Sequence, residues 1–526
     1  MTVLMSRGQR LASLPREVDL LVIGGGITGA GIALEAARGG ARVLLVEAHD
    51  FAYGTSSRSS KLVHGGLRYL KEGKPTLTLE SVRERNQLMR EAPGLVDPLS
   101  FMMPHYAGRS PSRLSMRIGL ALYDLFAGKA SRGFADPAET LRCIPGLARE
   151  NLEGASLYLD ATTDDARLVL RVLGEAQSHG ATIINYLPVV SLLRSDAAQG
   201  QVCGARLQAD GTGAPIDVRA ACVIAATGVW VDQLRAQLGL APKLRPLRGS
   251  HLLFAAWRVP VSRAVAFLHP DDARPVFAYP WQGATLLGTT DLDHADLEHE
   301  PAITRAEVDY LLKAMNLQFP ALELTPADIL STWAGVRPVV DSGRNLAPSQ
   351  ESRDHLVLHE HGLISVTGGK LTTFRRIARD TLRQASAQLP MWHAADAAEI
   401  LPTADAAPNI GKLPASVRQR LIAAYGSELA TLIDGVPSDE LTLIPGSHTL
   451  WAELRWALRS EQVCHLDDLL LRRTRLGLTQ RSGAADLLPQ LQHLLALELG
   501  WDALRWDSEC ERYRELIERS YSVPHG

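Results

Sequence analysis

Residues 19–47, DLLVIGGGITGAGIALEAARGGARVLLVE, read as strand, glycine-rich turn, helix and second strand in one continuous unit. Leu20, Leu21, Val22 and Ile23 form the short apolar run of a buried parallel strand, and Gly24, Gly26 and Gly29 follow it with G-x-G-x-x-G spacing. Gly24 permits the tight turn, Gly26 lets a pyrophosphate approach the backbone, and Gly29 lets helix and strand pack closely. The helix that begins here offers its N–H groups and positive dipole end to the phosphates. Glu47 closes the second strand, where a carboxylate can accept hydrogen bonds from an adenosine ribose and repels a 2′-phosphate. The unit predicts dinucleotide binding through Gly24, Gly25, Gly26, Ile27, Thr28, Gly29 and Glu47. NAD and FAD both use such a unit, so it does not choose between them.

The rest of the chain is long enough for roughly two to four domains of about 150 residues each. A hydrophobic fraction of 46%, a charged fraction of 21% and a net charge of -3 exclude a general attraction to nucleic acid, so an acidic ligand must be held by a local basic cluster. Cys143, Cys203, Cys222, Cys464 and Cys510 are scattered without a C-x-x-C pair. That spacing offers neither a disulfide framework nor a zinc or iron–sulfur site, and it fits a reducing cytoplasm. No apolar run approaches the roughly 18–20 residues of a spanning helix, and no signal-peptide core precedes the first strand. The protein is expected not to span a membrane, although it can lie on one.

Directly after the adenosine-binding unit, residues 48–74 are dense in Gly, Ser and Thr. Such a segment can run along a cofactor, with Thr55, Ser56, Ser57, Leu62, Gly65 and Gly66 near it and Lys61, His64, Arg68 and Tyr69 bringing polar side chains alongside. Residues 109–129 place Leu114, Met116, Ile118, Leu120, Leu122, Leu125 and Phe126 among Arg109, Arg113, Arg117 and Lys129. The pattern suits a helix lying in a membrane interface, and equally one facing a core.

The α/β rhythm resumes with a helix at 164–177, N-capped by Asp164, and a strand at 181–185. A hairpin at 202–220 leads into an apolar strand ending at Thr227-Gly228, a second candidate cofactor contact. Residues 245–295 alternate strands and turns and read as antiparallel sheet. Thr304 and Glu307 have the spacing of a capping box for a helix to about Phe319, after which 331–341 return towards the first domain. At 355–380 a hairpin runs into Gly368-Gly369-Lys370-Leu371-Thr372, a second glycine-to-helix junction suited to negative charge. Residues 402–414 have linker composition, and helical spacing dominates thereafter.

Taken together, VIGGGITGAGIA, TSSRSSKLVHGGLRYL (55–70), DDARL (164–168), GSH (249–251), GTTD (288–291), GVRP (335–338), GGKLTTFR (368–375) and DLLLRRTRLGL (468–478) resemble the FAD-dependent, quinone-linked glycerol-3-phosphate dehydrogenases of the aerobic respiratory type. The resemblance covers nearly the whole chain. It implies an α/β flavoprotein with two dinucleotide-binding-fold contacts, glycine-oxidase-like, with an antiparallel-sheet substrate domain and a C-terminal helical cap. The expected partition is FAD binding at 14–75, 160–240 and 340–395, substrate binding at 76–159 and 241–339, and a helical domain at 396–526. It further implies oxidation of sn-glycerol 3-phosphate to dihydroxyacetone phosphate, with electrons passing from FAD to a membrane quinone; because that acceptor is lipid-dissolved and no spanning segment is found, peripheral attachment to the inner face of the cytoplasmic membrane is expected. Arg68, Tyr69, Arg337 and Lys370 match the family's substrate pocket, and Arg353 and His251 fall where it also has pocket residues. No calcium-binding D-x-[DN]-x-[DN]-G loop is present, so no metal is expected. Self-association as a homodimer is compatible with the resemblance.

The chemistry needs a hydride acceptor at C2, a group that takes the C2 hydroxyl proton, and a cationic clamp on the phosphate. Arg68, Arg337 and Lys370 are candidates for the clamp, the arginines because their planar forks hold two phosphate oxygens at once. The alternative for Arg337 is an ion pair with a nearby carboxylate such as Asp341. His64 is the first candidate for the base and His251 the second. The alternatives are an amine or amino-acid oxidase of the same fold, and a non-catalytic flavin-bound interaction protein.

Overall fold

The structure, a computed structural model, describes residues 7–67, 73, 75–109, 111–128, 131–195, 200–209, 214–344, 346–347, 351, 354–390, 392–395, 399–402 and 413–524. The opening unit folds as strand Glu17–Ile23, helix Ile27–Arg38 and strand Val43–Val46. Both strands lie inside a sheet whose order runs His355–Glu360, Leu363–Gly368, Ile216–Ala225, Glu17–Ile23, Val43–Val46, Thr182–Ile184. The four pairings from Leu363–Gly368 to Thr182–Ile184 are parallel. Parallel strands are covered on both faces, which is why Leu20, Leu21, Val22 and all of Val43–Val46 are apolar and buried. Helix Ile27–Arg38 packs against helices Asp165–Ser178 and Phe374–Ala385, and the Phe374 ring rests on Gly31, where a Cβ would stand 2.8 Å from it.

The second sheet is built from residues far apart in sequence. Its order runs Leu292–Asp293, Leu244–Ala255, Ala284–Gly288, Pro275–Trp281, Ala264–Leu268, Val96–Tyr106, Leu152–Thr163, Leu62–Val63, with Ile329–Val340 also paired to Leu244–Ala255. Within residues 245–295 the pairings are antiparallel as expected, but Ala264–Leu268 runs parallel to Val96–Tyr106. Leu62 and Val63, grouped by sequence with the cofactor-binding segments, pair with Thr162 and Ala161 of this sheet. The chain crosses there from one sheet to the other. The Leu244–Ala255 and Ile329–Val340 pairing sets Leu247 opposite Arg337, Gly249 opposite Gly335 and His251 opposite Trp333.

Local expectations for the helices hold. Asp164 caps Asp165–Ser178 by accepting from Arg167 N, and Thr304 with Glu307 closes a capping box on Arg305–Gln318. The C-terminal region is helical, with Ala415–Tyr425, Trp451–Ser460, Leu488–Leu499 and Ala503–Leu516. Its Leu454, Leu469, Leu491, Leu495 and Tyr513 share one core with Tyr279, Trp281 and Trp333 of the second sheet. Each buried leucine there contributes about 1.5–3 kcal/mol, so the helical domain is bound to the body by a continuous apolar interface. The expected linker falls mostly on 403–412, outside the described residues. Among the described residues no helix is long and apolar enough to cross a membrane.

Candidate active site

A cavity of about 710 Å³ opens at the carboxyl ends of the parallel strands, where ligands of such sheets bind, and continues against the second sheet. At one end lies the glycine fingerprint. Gly24 has φ +114°, and a Cβ on it would stand 2.5 Å from Ala226 O, so the turn admits only glycine. Gly26 differs: a Cβ there would meet only Ser56, whose Oγ is 3.0 Å away, and otherwise would project into the groove. That is the space a pyrophosphate needs above the start of helix Ile27–Arg38. Ser56 Oγ accepts from Ile27 N at 3.0 Å.

Glu47 stands where the ribose of a dinucleotide is expected. Its Oε2 accepts from Gly25 N at 2.6 Å and its Oε1 from His49 N at 2.9 Å, which orients the carboxylate along the groove. Burial raises its pKa, against the lowering effect of those N–H groups. Across the groove Thr227 Oγ1 is buried with no hydrogen-bond partner among the described residues. An unpaired hydroxyl on the wall of a groove fits a bound ligand.

Of the residues singled out by sequence, Gly24, Gly26, Ile27, Thr28, Glu47, Thr55, Ser56, Leu62, His64 and Gly66 line this cavity. So do Thr227, Gly228, Gly368, Gly369, Lys370, Leu371 and Thr372. Gly25, Gly29, Ser57, Lys61 and Gly65 stand behind the wall. Lys61 is the clearest departure from expectation. Its side chain is fully buried, and Nζ donates to both oxygens of Asp165 at 2.9 Å and to Ser57 O at 2.5 Å. Burial pushes its pKa down to about 8 in spite of Asp165. Its charge is committed to the scaffold and does not face the groove.

The far end of the cavity is basic. Arg337 Nη1 donates to Asp291 Oδ1 at 2.8 Å and Nη2 to Thr289 Oγ1 at 3.2 Å. The carboxylate is Asp291 rather than Asp341 because strand Leu292–Asp293 lies beside Leu247 and Arg248, and Leu247 is opposite Arg337. A Cβ on Gly249 would occupy the place of the Arg337 guanidinium. Arg274 joins this corner, with Nη1 donating to Asp291 O at 3.0 Å and Nε to Asp272 at 2.9 Å. Lys370 lines the same cavity and donates to Ser81 Oγ at 2.8 Å. Arg68, Tyr69 and Arg353 lie outside the described residues.

Two histidines border the cavity. His64 sits in a loop whose next residue, Gly65, donates N–H to Asp160 Oδ1 at 2.9 Å, and His64 O accepts from Thr372 Oγ1 at 3.4 Å. The same Asp160 oxygen accepts from Tyr123 Oη at 2.7 Å and Arg85 Nη1 at 2.6 Å. His251 is buried, stacked on Trp333, with Nε2 2.9 Å from Ser60 Oγ and no partner for Nδ1 among the described residues. Burial first, then Arg337 and Lys61, holds its pKa well below the usual histidine range, so the ring is neutral at pH 7. Sequence reading did not single out Arg274, Asp160 or Ser60 individually. Thr289 and Asp291 lay within the GTTD stretch, whereas nothing local marks Arg274.

The family model described as FAD dependent oxidoreductase matches residues 19–375, and that described as C-terminal domain of alpha-glycerophosphate oxidase matches 364–505. The chain is 35% identical to the aerobic glycerol-3-phosphate dehydrogenase of Staphylococcus aureus, over 97% of this chain and 95% of the relative. It is 34% identical to the human mitochondrial glycerol-3-phosphate dehydrogenase, over 97% of this chain and 75% of that one. Among solved structures, the glycerol-3-phosphate dehydrogenase of Bacillus halodurans, complexed with FAD, superposes with a TM-score of 0.77 at 29% identity, covering 98% of this chain and 97% of that one. Glycine oxidase from Geobacillus kaustophilus, at 22% identity and a TM-score of 0.53 over 73% of this chain, shares the fold.

Proposed function

The chain belongs to the FAD-dependent oxidoreductase family, and we propose that it oxidises sn-glycerol 3-phosphate to dihydroxyacetone phosphate and passes the electrons to a membrane quinone. The cofactor is FAD, and the residues present fit it: the open approach at Gly26, the oriented Glu47 carboxylate and the unpaired Thr227 hydroxyl are spread along one groove. FAD, when bound, supplies the acceptor for the C2 hydride.

The observation that carries the substrate reading is that Arg337 and Arg274 meet at Asp291 in one corner of the cavity and that Lys370 lines the same cavity. Two guanidinium forks and an ammonium suit a dianionic phosphate, and Asp291 fixes the orientation of Arg337. A phosphate held there leaves the glycerol carbons to extend along the cavity, which His64 also lines. We assign the C2 hydroxyl proton to His64, with His251 reached through Ser60 Oγ as the second candidate. Asp160 and Thr372 restrain the backbone that presents His64, so the base is held by its loop. Steady-state turnover with glycerol 3-phosphate, compared with glycine and sarcosine, tests the substrate class.

Helix Arg113–Ala127 supports attachment to the inner face of the cytoplasmic membrane. It has two apolar stripes. Met116, Leu120 and Tyr123 face the core, while Leu114, Ile118, Leu122 and Leu125, on the opposite side at helical spacing, are 58%, 58%, 46% and 73% exposed. Arg113 and Arg117 are exposed beside the outer stripe, where cations meet anionic headgroups. A protein resting on this face would stand where a lipid-dissolved quinone can reach it.

A further inference from the structure

The stretch 468–478, DLLLRRTRLGL, lies in the C-terminal helical domain, far in sequence from the groove, and nothing in the chemistry above uses it. Its arginines nevertheless end beneath the groove. Arg472 Nε donates to Asp50 Oδ2 at 2.5 Å, and Arg473 donates to the same carboxylate through Nη1 at 2.6 Å and Nη2 at 2.7 Å. Asp50 is fully buried and follows Glu47, Ala48 and His49, all on the groove wall. Asn185 Nδ2 completes its coordination at 2.9 Å. The loop at the ribose end of the cofactor is therefore anchored from below by the helical domain.

Arg475 does the same for the next loop. Its Nη2 donates to Asp165 Oδ1 at 2.5 Å and its Nε to Asp164 Oδ1 at 2.9 Å. Asp165 Oδ2 in turn accepts from Ser59 N at 3.0 Å and Ser59 Oγ at 2.7 Å, and Ser59 lines the cavity. A third tie comes from the end of the chain, where Tyr521 Oη accepts from Nε of the groove-lining Arg58 at 3.2 Å. Arg472, Arg473, Arg475, Asp50 and Asp165 are almost fully buried. Buried ion pairs gain little net stability over apolar packing, so their presence here points to a geometric task.

We propose that Arg472, Arg473, Arg475 and Tyr521 are positioning residues of the cofactor groove: through Asp50, Asp165 and Arg58 the helical domain holds the two loops at 47–60 in the form that retains FAD. This goes beyond the redox chemistry but rests on the reading that the groove holds FAD. The domain is then a constructional part of the flavin site as well as a cover on the second sheet.

The test is the rate of flavin release from the holoenzyme on dilution, followed by the rise of flavin fluorescence, with Tm measured on the same samples. Arg475→Met and Arg473→Met should release flavin at least about ten-fold faster than wild type, the effect of losing charge-assisted hydrogen bonds. Arg475→Lys should recover part of the loss. Ser331→Ala is the control, because Ser331 Oγ donates to Leu478 O at 2.7 Å and ties the same domain to the body away from both loops. It should lower Tm and leave release unchanged. Should the methionine variants not fold, Tyr521→Phe, which removes one hydroxyl, must itself accelerate release. Release at the wild-type rate in these variants, or equal acceleration by Ser331→Ala, overturns the proposal. Wild-type protein without flavin overturns the cofactor reading itself.

Discussion

Arg337 enters the cavity already ion-paired with Asp291, Nη1 to Oδ1 at 2.8 Å, while Thr289 holds its other terminal nitrogen. The pair fixes a fork that would otherwise sample many rotamers, and the fixed guanidinium lines the cavity. Loss of such a charged contact to substrate costs on the order of 2–5 kcal/mol. Arg337→Ala is therefore expected to lower kcat/KM for glycerol 3-phosphate by roughly 30- to several-thousand-fold while FAD content stays the same. Arg337→Lys should restore only part of it, and Asp291→Asn should raise KM by less than Arg337→Ala does. An unchanged ratio of kcat/KM for glycerol 3-phosphate to that for glycerol in Arg337→Ala would mean that this arginine does not read the phosphate.

The fingerprint glycines separate fold from cofactor. A Cβ on Gly29 would collide with Gly24 O, whereas one on Gly26 meets only the Ser56 side chain and the groove. Gly26→Val should therefore yield folded, colourless protein, and Gly29→Ala should lower Tm sharply. Absorbance at flavin wavelengths against Tm distinguishes the two, and a yellow Gly26→Val protein would contradict the placement of the pyrophosphate.

His251 predicts a pH dependence of stability. Its pKa in the folded protein lies well below the ordinary 6.5, because burial, Arg337 and Lys61 oppose its charge. As pH falls through 6.5 the unfolded chain takes up this proton and the folded chain does not, so stability decreases from there down towards the folded pKa. His251→Gln should flatten the fall of Tm between about pH 7.5 and pH 5.5. A slope identical to wild type would show that His251 is not buried as a neutral ring.

Much of this architecture is local enough to be read from the chain. The turn at Gly24–Gly26–Gly29, the Asp164 cap and the Thr304–Glu307 capping box each depend on residues a few positions apart. What sequence could not supply depends on register between distant strands. Arg337 meets Asp291 only because Leu244–Ala255 lies between their strands, and Asp341, close in sequence, instead accepts from Gly343 N at 2.8 Å. Lys61 looked like a groove residue by its neighbours, yet the strand pairing at Leu62 and Val63 turns it inward onto Asp165. The pattern at 113–127 suits both a core and an interface because the helix carries two apolar stripes, one buried and one exposed.

That outer stripe gives a direct test of membrane attachment. Ile118→Glu and Leu125→Glu should abolish flotation with anionic vesicles at low salt and leave turnover with a soluble electron acceptor intact. Arg113→Gln with Arg117→Gln should weaken flotation and reduce its salt dependence, since each cation near the surface contributes about 1 kcal/mol. Flotation of the glutamate variants at the wild-type level would remove this helix from the docking face.

Anaerobic bleaching of the bound flavin tests most directly whether this groove matches a polyol phosphate and FAD. Mixed without oxygen or an added acceptor, sn-glycerol 3-phosphate is predicted to bleach the flavin absorbance stoichiometrically, while glycerol, glycine and sarcosine leave it unchanged. Bleaching by glycine or sarcosine, or a flavin left oxidised by glycerol 3-phosphate, would contradict the account.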